Sequence, residues 1–117
     1  MIKSKNTEQL INDFVKFAIE DGVYKKKGDY KKDDKLQIEI NKIAVNLKQQ
    51  ESGREAIARL MEHEDFYVRF WAASFSLKDK TKKAIKVLGD LMKSEELVSF
   101  DARAMLHFWE QDPSKFS

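Results

Sequence analysis

Two histidines, His63 and His107, are the side chains that could exchange protons near neutral pH without a perturbed environment. His63 stands in His63-Glu64-Asp65 with no second histidine at the spacing a zinc site needs, so a solvated turn is expected there and no metal. His107 follows Met105-Leu106 and reads as a surface or rim residue. Carboxylates come in pairs, Asp33-Asp34, Glu62 with Asp65, and Glu95-Glu96, but no glycine-rich loop, nucleophile elbow or metal motif accompanies them. They are expected to cap or solvate helix ends. The chain is therefore expected to be no enzyme and to hold no cofactor.

Two groups of residues could bind rather than react. Tyr24, Lys25, Lys26, Lys27, Tyr30, Lys31 and Lys32 interleave cations with aromatic rings, the combination that grips a single-stranded nucleic acid or another anionic partner. Asp29, Asp33 and Asp34 partly neutralise this run, which favours a solvated loop and helix face. Phe66, Tyr67, Phe70 and Trp71 bring more aromatic surface than one packed face consumes, with Trp109 at the far end of the chain. Most of these rings are expected in the core, and the surplus at an interface, whose centres favour aromatic and arginine side chains.

Composition limits what can position these groups. A chain of 117 residues supports one core, so a single domain spanning 1–117 is expected. Hydrophobic residues make up 42% and charged residues 36%, which excludes bulk disorder. The net charge of +2 is too small for a nucleic-acid signature by itself, so any basic patch must be local. The absence of cysteine removes disulfides and thiolate chemistry and fits a reducing compartment. No apolar leader or membrane-length apolar run is present, so a cytoplasmic protein without a membrane segment is expected.

Four glycines and one proline leave few breakers, and the apolar residues recur at helical spacing almost throughout. The spacing predicts six helices. The first runs from about Thr7 to Asp21 with Asn6 or Thr7 as a cap and Gly22 as a stop, followed by a polar connector over 24–35. The second carries Leu36, Ile40, Ile43, Ala44 and Leu47 and ends near Gln50, before a Ser52-Gly53 break. A short third helix covers about Arg54 to Glu62. The fourth, about Phe66 to Lys78, is too apolar for one stripe and must be covered on more than one side. The fifth covers about Thr81 to Lys93 with Thr81 as a cap, and the sixth about Glu96 to Glu110 before Pro113.

An internal repeat links the last four helices. Ala56-Ile57-x-x-Leu60 returns as Ala84-Ile85-x-x-Leu88 at an offset of 28, and Val68-x3-Ala72-x2-Phe75 as Val98-x3-Ala102-x2-Met105 at an offset of 30. Asp65 and Glu95 precede the second helix of each unit as candidate caps. Within this repeat, Asp65, Val68, Arg69, Ala72 and Ala73 resemble the HEAT-like pattern of an acidic residue before a turn, a Val-Arg pair and two small residues. The second unit departs from it, with Ser99 in the arginine position and Arg103 a turn later. Over most of its length, through Gly28-Asp29 and Val68-Arg69-Phe70-Trp71-Ala72-Ala73, the chain also resembles a small bacterial family of HEAT-like domains without established activity.

That resemblance implies an all-α fold, an α-α superhelix of about six helices in three antiparallel hairpins, with Arg69 paired to an acidic residue of an adjacent turn. Proteins of this general type resemble bacterial immunity or other interaction proteins, which implies a protein partner. If the second helix of each hairpin lines a concave side, Tyr67, Phe70, Trp71, Lys78, Arg103 and His107 are expected to face that partner. Nucleic-acid binding through residues 24–35 is the alternative.

Overall fold

The computed structural model describes residues 5–116. Six α-helices follow one another: α1 (Thr7–Lys27), α2 (Tyr30–Leu47), α3 (Glu51–Arg59), α4 (Phe66–Ser76), α5 (Thr81–Met92) and α6 (Val98–Gln111). Short 3-10 turns occupy Leu60–Glu62 and Pro113–Lys115. The fold is all-α, and among the described residues no strand is present and no helix is long and apolar enough to cross a membrane.

The largest departure from the expected elements is in the N-terminal hairpin. Gly22 does not stop α1, and residues 24–35 are not a connector: α1 continues to Lys27 and α2 begins at Tyr30. Gly28 is the true stop. Its φ of 71° is the left-handed geometry that glycine adopts without strain, and the Gly28 and Asp29 amides donate to the carbonyls of Lys25 and Tyr24. Lys25, Lys26 and Lys27 then lie in the last turn of α1, where the helix dipole favours cations. Asp29 caps α2 by accepting from the Lys32 amide.

Gly22 meets a different requirement. It lies on the buried side of α1, where a Cβ would come within 2.5 Å of the Tyr67 ring. Gly53 likewise breaks no helix: it sits in the first turn of α3, where the Leu47 carbonyl leaves no room for a side chain. At the start of α1, Asn6 forms a reciprocal capping box with Gln9.

α4 is the central helix, in contact with α1, α3, α5 and α6. The elements pair in sequence as α1–α2, α3–α4 and α5–α6, with Val68 and Val98, and Ala72 and Ala102, fully buried at matched positions of the last two pairs. The first pair docks the other way round from a strictly consecutive stack. α1, not α2, makes the main contact with α4, while α2 meets α3. Phe14 of α1 packs edge-on against Phe75 of α4, and Lys48 after α2 donates to the Phe75 carbonyl at 2.7 Å and pairs with Asp79 at 3.3 Å. The radius of gyration of 13.6 Å is that of an ordinary domain of this length.

The two repeat units start their second helices differently. Asp65 caps α4 by accepting from the Tyr67 and Val68 amides at 2.9 and 3.0 Å. Glu95 caps nothing: α6 begins at Val98 after an uncapped Leu97. Thr81 is not a cap either, since its hydroxyl donates to the Leu77 carbonyl at 2.6 Å.

Candidate functional site

The inward stripe of α1 runs Leu10, Phe14, Ala18, Asp21 and Gly22, and one turn later Lys25. Because the helix does not end at Gly22, this stripe carries a carboxylate and an ammonium into the core. Asp33 occupies the buried stripe of α2 ahead of Ile40, Ala44 and Leu47, and Asp101 lies beside Val98 and Ala102 on α6. The Lys25 ammonium stands 3.4 Å from Asp21, 3.5 Å from Asp101 and 3.9 Å from Asp33. Its other neighbours are aromatic: the ring centroids of Tyr67, Trp71 and Phe70 lie 5.1, 5.3 and 5.7 Å away.

Each wall of this cage is tied down. The Tyr67 hydroxyl donates to Asp101 at 2.7 Å, the Trp71 indole donates to Asp21 at 2.9 Å, and Gln37 donates to Asp33 at 2.9 Å. Burial, then the hydrogen bond to Asp101, pushes the Tyr67 phenol far above its usual range, so it is a donor at any physiological pH. Asp21 is wholly buried, and one of its oxygens, Oδ1, accepts no hydrogen bond. Burial and the adjacent Asp33 carboxyl push Asp21 up to about 7 against the opposing pull of Lys25 and Trp71. Among the described residues no group of three or more metal-ligating side chains is arranged to hold an ion.

The six residues expected to share a partner-binding face are not brought together. Tyr67 and Phe70 are buried and Trp71 half-buried, because α1 covers the side of α4 that was expected to be open. Lys78, Arg103 and His107 are exposed, but Lys78 lies after α4, where it donates to the Phe116 carbonyl at 3.3 Å. Arg103 and His107 remain neighbours on the outer face of α6. With them, at spacings of three and four residues, stand Phe100, Ala104 and Phe108, and the two phenylalanines are 71% and 58% exposed. Leu97 continues this seam towards α1, where it lines a cleft of about 80 Å³ with Ile19, Val23, Lys26 and Phe66. Leu97, Ile19 and Val23 are all exposed.

The lysine-tyrosine run divides. Lys25 is withdrawn into the cage, whereas Lys26, Lys27, Lys31, Lys32 and Tyr30 are exposed around the Gly28-Asp29 corner. Lys27 and Lys32 lie over the half-buried Tyr24 ring at 5.8 and 5.1 Å. His63 is half-buried with its Nδ1 accepting from the Asp65 amide. Arg69 forms no ion pair among the described residues, contrary to the expected acidic partner: its guanidinium stacks over Phe66 at 4.9 Å. In the sequence Asp33 reads only as a capping or neutralising carboxylate, and Asp21 and Asp101 carry no signal beyond their place inside expected helices; Asp33 joins a buried stripe once α2 begins at Tyr30.

No protein-family model matches the chain, and no curated protein matches it. Among solved structures it is similar to the protein RPA1889 from Rhodopseudomonas palustris CGA009, with a TM-score of 0.84 and 22% identity over 96% of each chain. At that identity the likeness shows a shared all-α fold.

Proposed function

We propose that the chain is a HEAT-like helical domain that works by binding a protein partner, not by catalysis, through the outer face of α6 and the adjoining cleft against α1. The observation that carries this reading is the uncovered seam Leu97, Phe100, Ala104 and Phe108, flanked by Arg103 and His107. Exposed aromatic surface on the last long helix of a stack is what a further helical hairpin or a partner would cover. The HEAT-like identity is supported by the matched, fully buried Val68/Val98 and Ala72/Ala102 pairs and by the Asp65 cap. A regulatory or immunity role of bacterial type, in the cytoplasm, rests on the sequence resemblance and the cysteine-free composition.

The test is affinity capture with crosslinking from the native lysate, comparing the parent with Phe100→Asp/Phe108→Asp and with Ile85→Asp, a control at an exposed apolar position on α5. A partner held by the parent and the control but lost by the α6 variant is expected. Identical profiles from all three folded proteins would remove α6 as the interface.

The basic corner supports a second reading, an anionic partner such as single-stranded nucleic acid, because Lys27 and Lys32 bracket Tyr24 and Tyr30 is 70% exposed. Lys25 takes no part in it. Oligonucleotide titration at two salt concentrations decides, since phosphate contacts must weaken as salt rises.

A further inference from the structure

The Lys25 cage holds a charge more loosely than its composition requires. None of the three aspartates approaches the ammonium within the roughly 2.7 to 2.9 Å of a charge-assisted hydrogen bond; the nearest stands at 3.4 Å. The three rings, at 5.1 to 5.7 Å, lie in the outer part of the cation–π range of about 6 Å. The ammonium thus sits without a short contact to any wall of the cage. A methyl group on the nitrogen reaches about 1.5 Å further, which brings carbon to roughly 4 Å from each ring centroid, the distance of ordinary carbon contact.

Charge favours the same kind of occupant. Three carboxyl groups surround one ammonium, and the cluster stays negative even with Asp21 protonated. Asp21 Oδ1 is buried with no donor. The walls offer charge and ring faces with no short hydrogen bonds to the cation, which suits an alkylated ammonium that cannot donate. Lys25 stands in the last turn of α1, and its side chain keeps 11% of its surface in solvent, so the cage is open to solvent along it. Departure of Lys25 is tolerable only if another cation replaces it, because the buried Asp21 and Asp33 and the half-buried Asp101 would otherwise face each other without a counter-charge.

We propose that the cage formed by Tyr67, Phe70 and Trp71 with Asp21, Asp33 and Asp101 is a binding site for a methylated organic ammonium ion, and that the Lys25 ammonium is its intramolecular occupant. Trp71 reports directly on occupancy once the second tryptophan is replaced by Trp109→Phe. Tetramethylammonium chloride is titrated into that protein and into its Lys25→Ala derivative, with sodium chloride at matched ionic strength as reference, while Trp71 fluorescence is followed. The expected result is a saturable change in the Lys25→Ala protein at a concentration at least tenfold lower than in the parent, because the internal competitor is gone. A Lys25→Ala chain that is unfolded in sodium chloride but regains helical circular dichroism in tetramethylammonium supports the site equally. Neither saturation nor refolding, or the same response to sodium, overturns it.

Discussion

The two flanks of α4 are built from different materials. Towards α5 and the inner stripe of α6 the contact is aliphatic, with Leu77, Ala84, Leu88, Val98 and Ala102 all fully buried and Asp101 of α6 reaching round to the other flank. Towards α1 the same helix presents Tyr67, Phe70 and Trp71 to a cluster of one ammonium and three carboxylates. Aliphatic burial stabilises by roughly 1.5 to 3 kcal/mol for each large side chain, with little dependence on pH or register. A buried charge cluster is often no more stabilising than a hydrophobic substitute, and removing one member is expensive. The aliphatic flank therefore holds the C-terminal pairs together, while the charged flank fixes where the N-terminal pair may dock and makes that docking sensitive to protons and cations.

Removing the cation should break the contrast most severely. Lys25→Met leaves the carboxylates unpaired and is expected to cost about 3 to 5 kcal/mol in urea unfolding; a loss below 1 kcal/mol would mean that the cluster is hydrated and the flanks are not so different. On the aliphatic side, Leu88→Ala is expected to cost about 3 kcal/mol, with the same value at pH 5 and pH 8.

Proton linkage should distinguish the flanks without altering packing. The folded chain keeps a proton on Asp21 up to about 7, whereas the unfolded chain releases it near the ordinary 3.8. The stability from this group is therefore fully present below about pH 4 and is lost as pH rises through 7, with a steepest slope of roughly 1.4 kcal/mol per pH unit. Asp21→Asn should abolish that component, so the difference between parent and variant stabilities should change between pH 4 and 7 and stay flat from 8 to 9. A difference that is flat throughout would place Asp21 among ordinary carboxylates.

Gly22→Ala tests the close approach of α1 to α4. Its Cβ must displace the Tyr67 ring, which the Asp101 hydrogen bond holds in place, at an expected cost of about 2 kcal/mol; a neutral effect would show that α1 can slide. The smallest effect separates the repeat units. Asp65→Ala should cost about 1 kcal/mol through the lost cap, and Glu95→Ala should be neutral within the error of thermal unfolding.

Helix number and type were legible because the apolar residues recur at helical spacing with few breakers, and α4 was recognisable as central because its apolar residues surround it. The boundaries at Gly22 and Ser52-Gly53 were misplaced for one physical reason. A glycine that ends a helix and a glycine that admits a neighbouring atom are the same letter, and only the neighbour, Tyr67 or the Leu47 carbonyl, distinguishes them. Ending α1 early also hid the candidate site, since Lys25 then read as one more lysine of a polar connector. Of the residues assigned to a partner-facing surface, Arg103 and His107 remain exposed together, whereas Tyr67 and Phe70 are enclosed.

What the sequence determined by itself is local: six amphipathic segments, the Asn6, Asp29 and Asp65 caps, the Gly28 turn and the matched Val/Ala positions, all of which depend on residues within a few places of one another. What only the tertiary structure decided is which helix covers which. That α1 and not α2 packs on α4 brings Asp21, Lys25, Asp33 and Asp101 to three aromatic rings, and it leaves Phe100 and Phe108 on the outer face of α6 exposed. Helical periodicity fixes which stripe must be buried, but only the packed chain fixes which neighbour buries it.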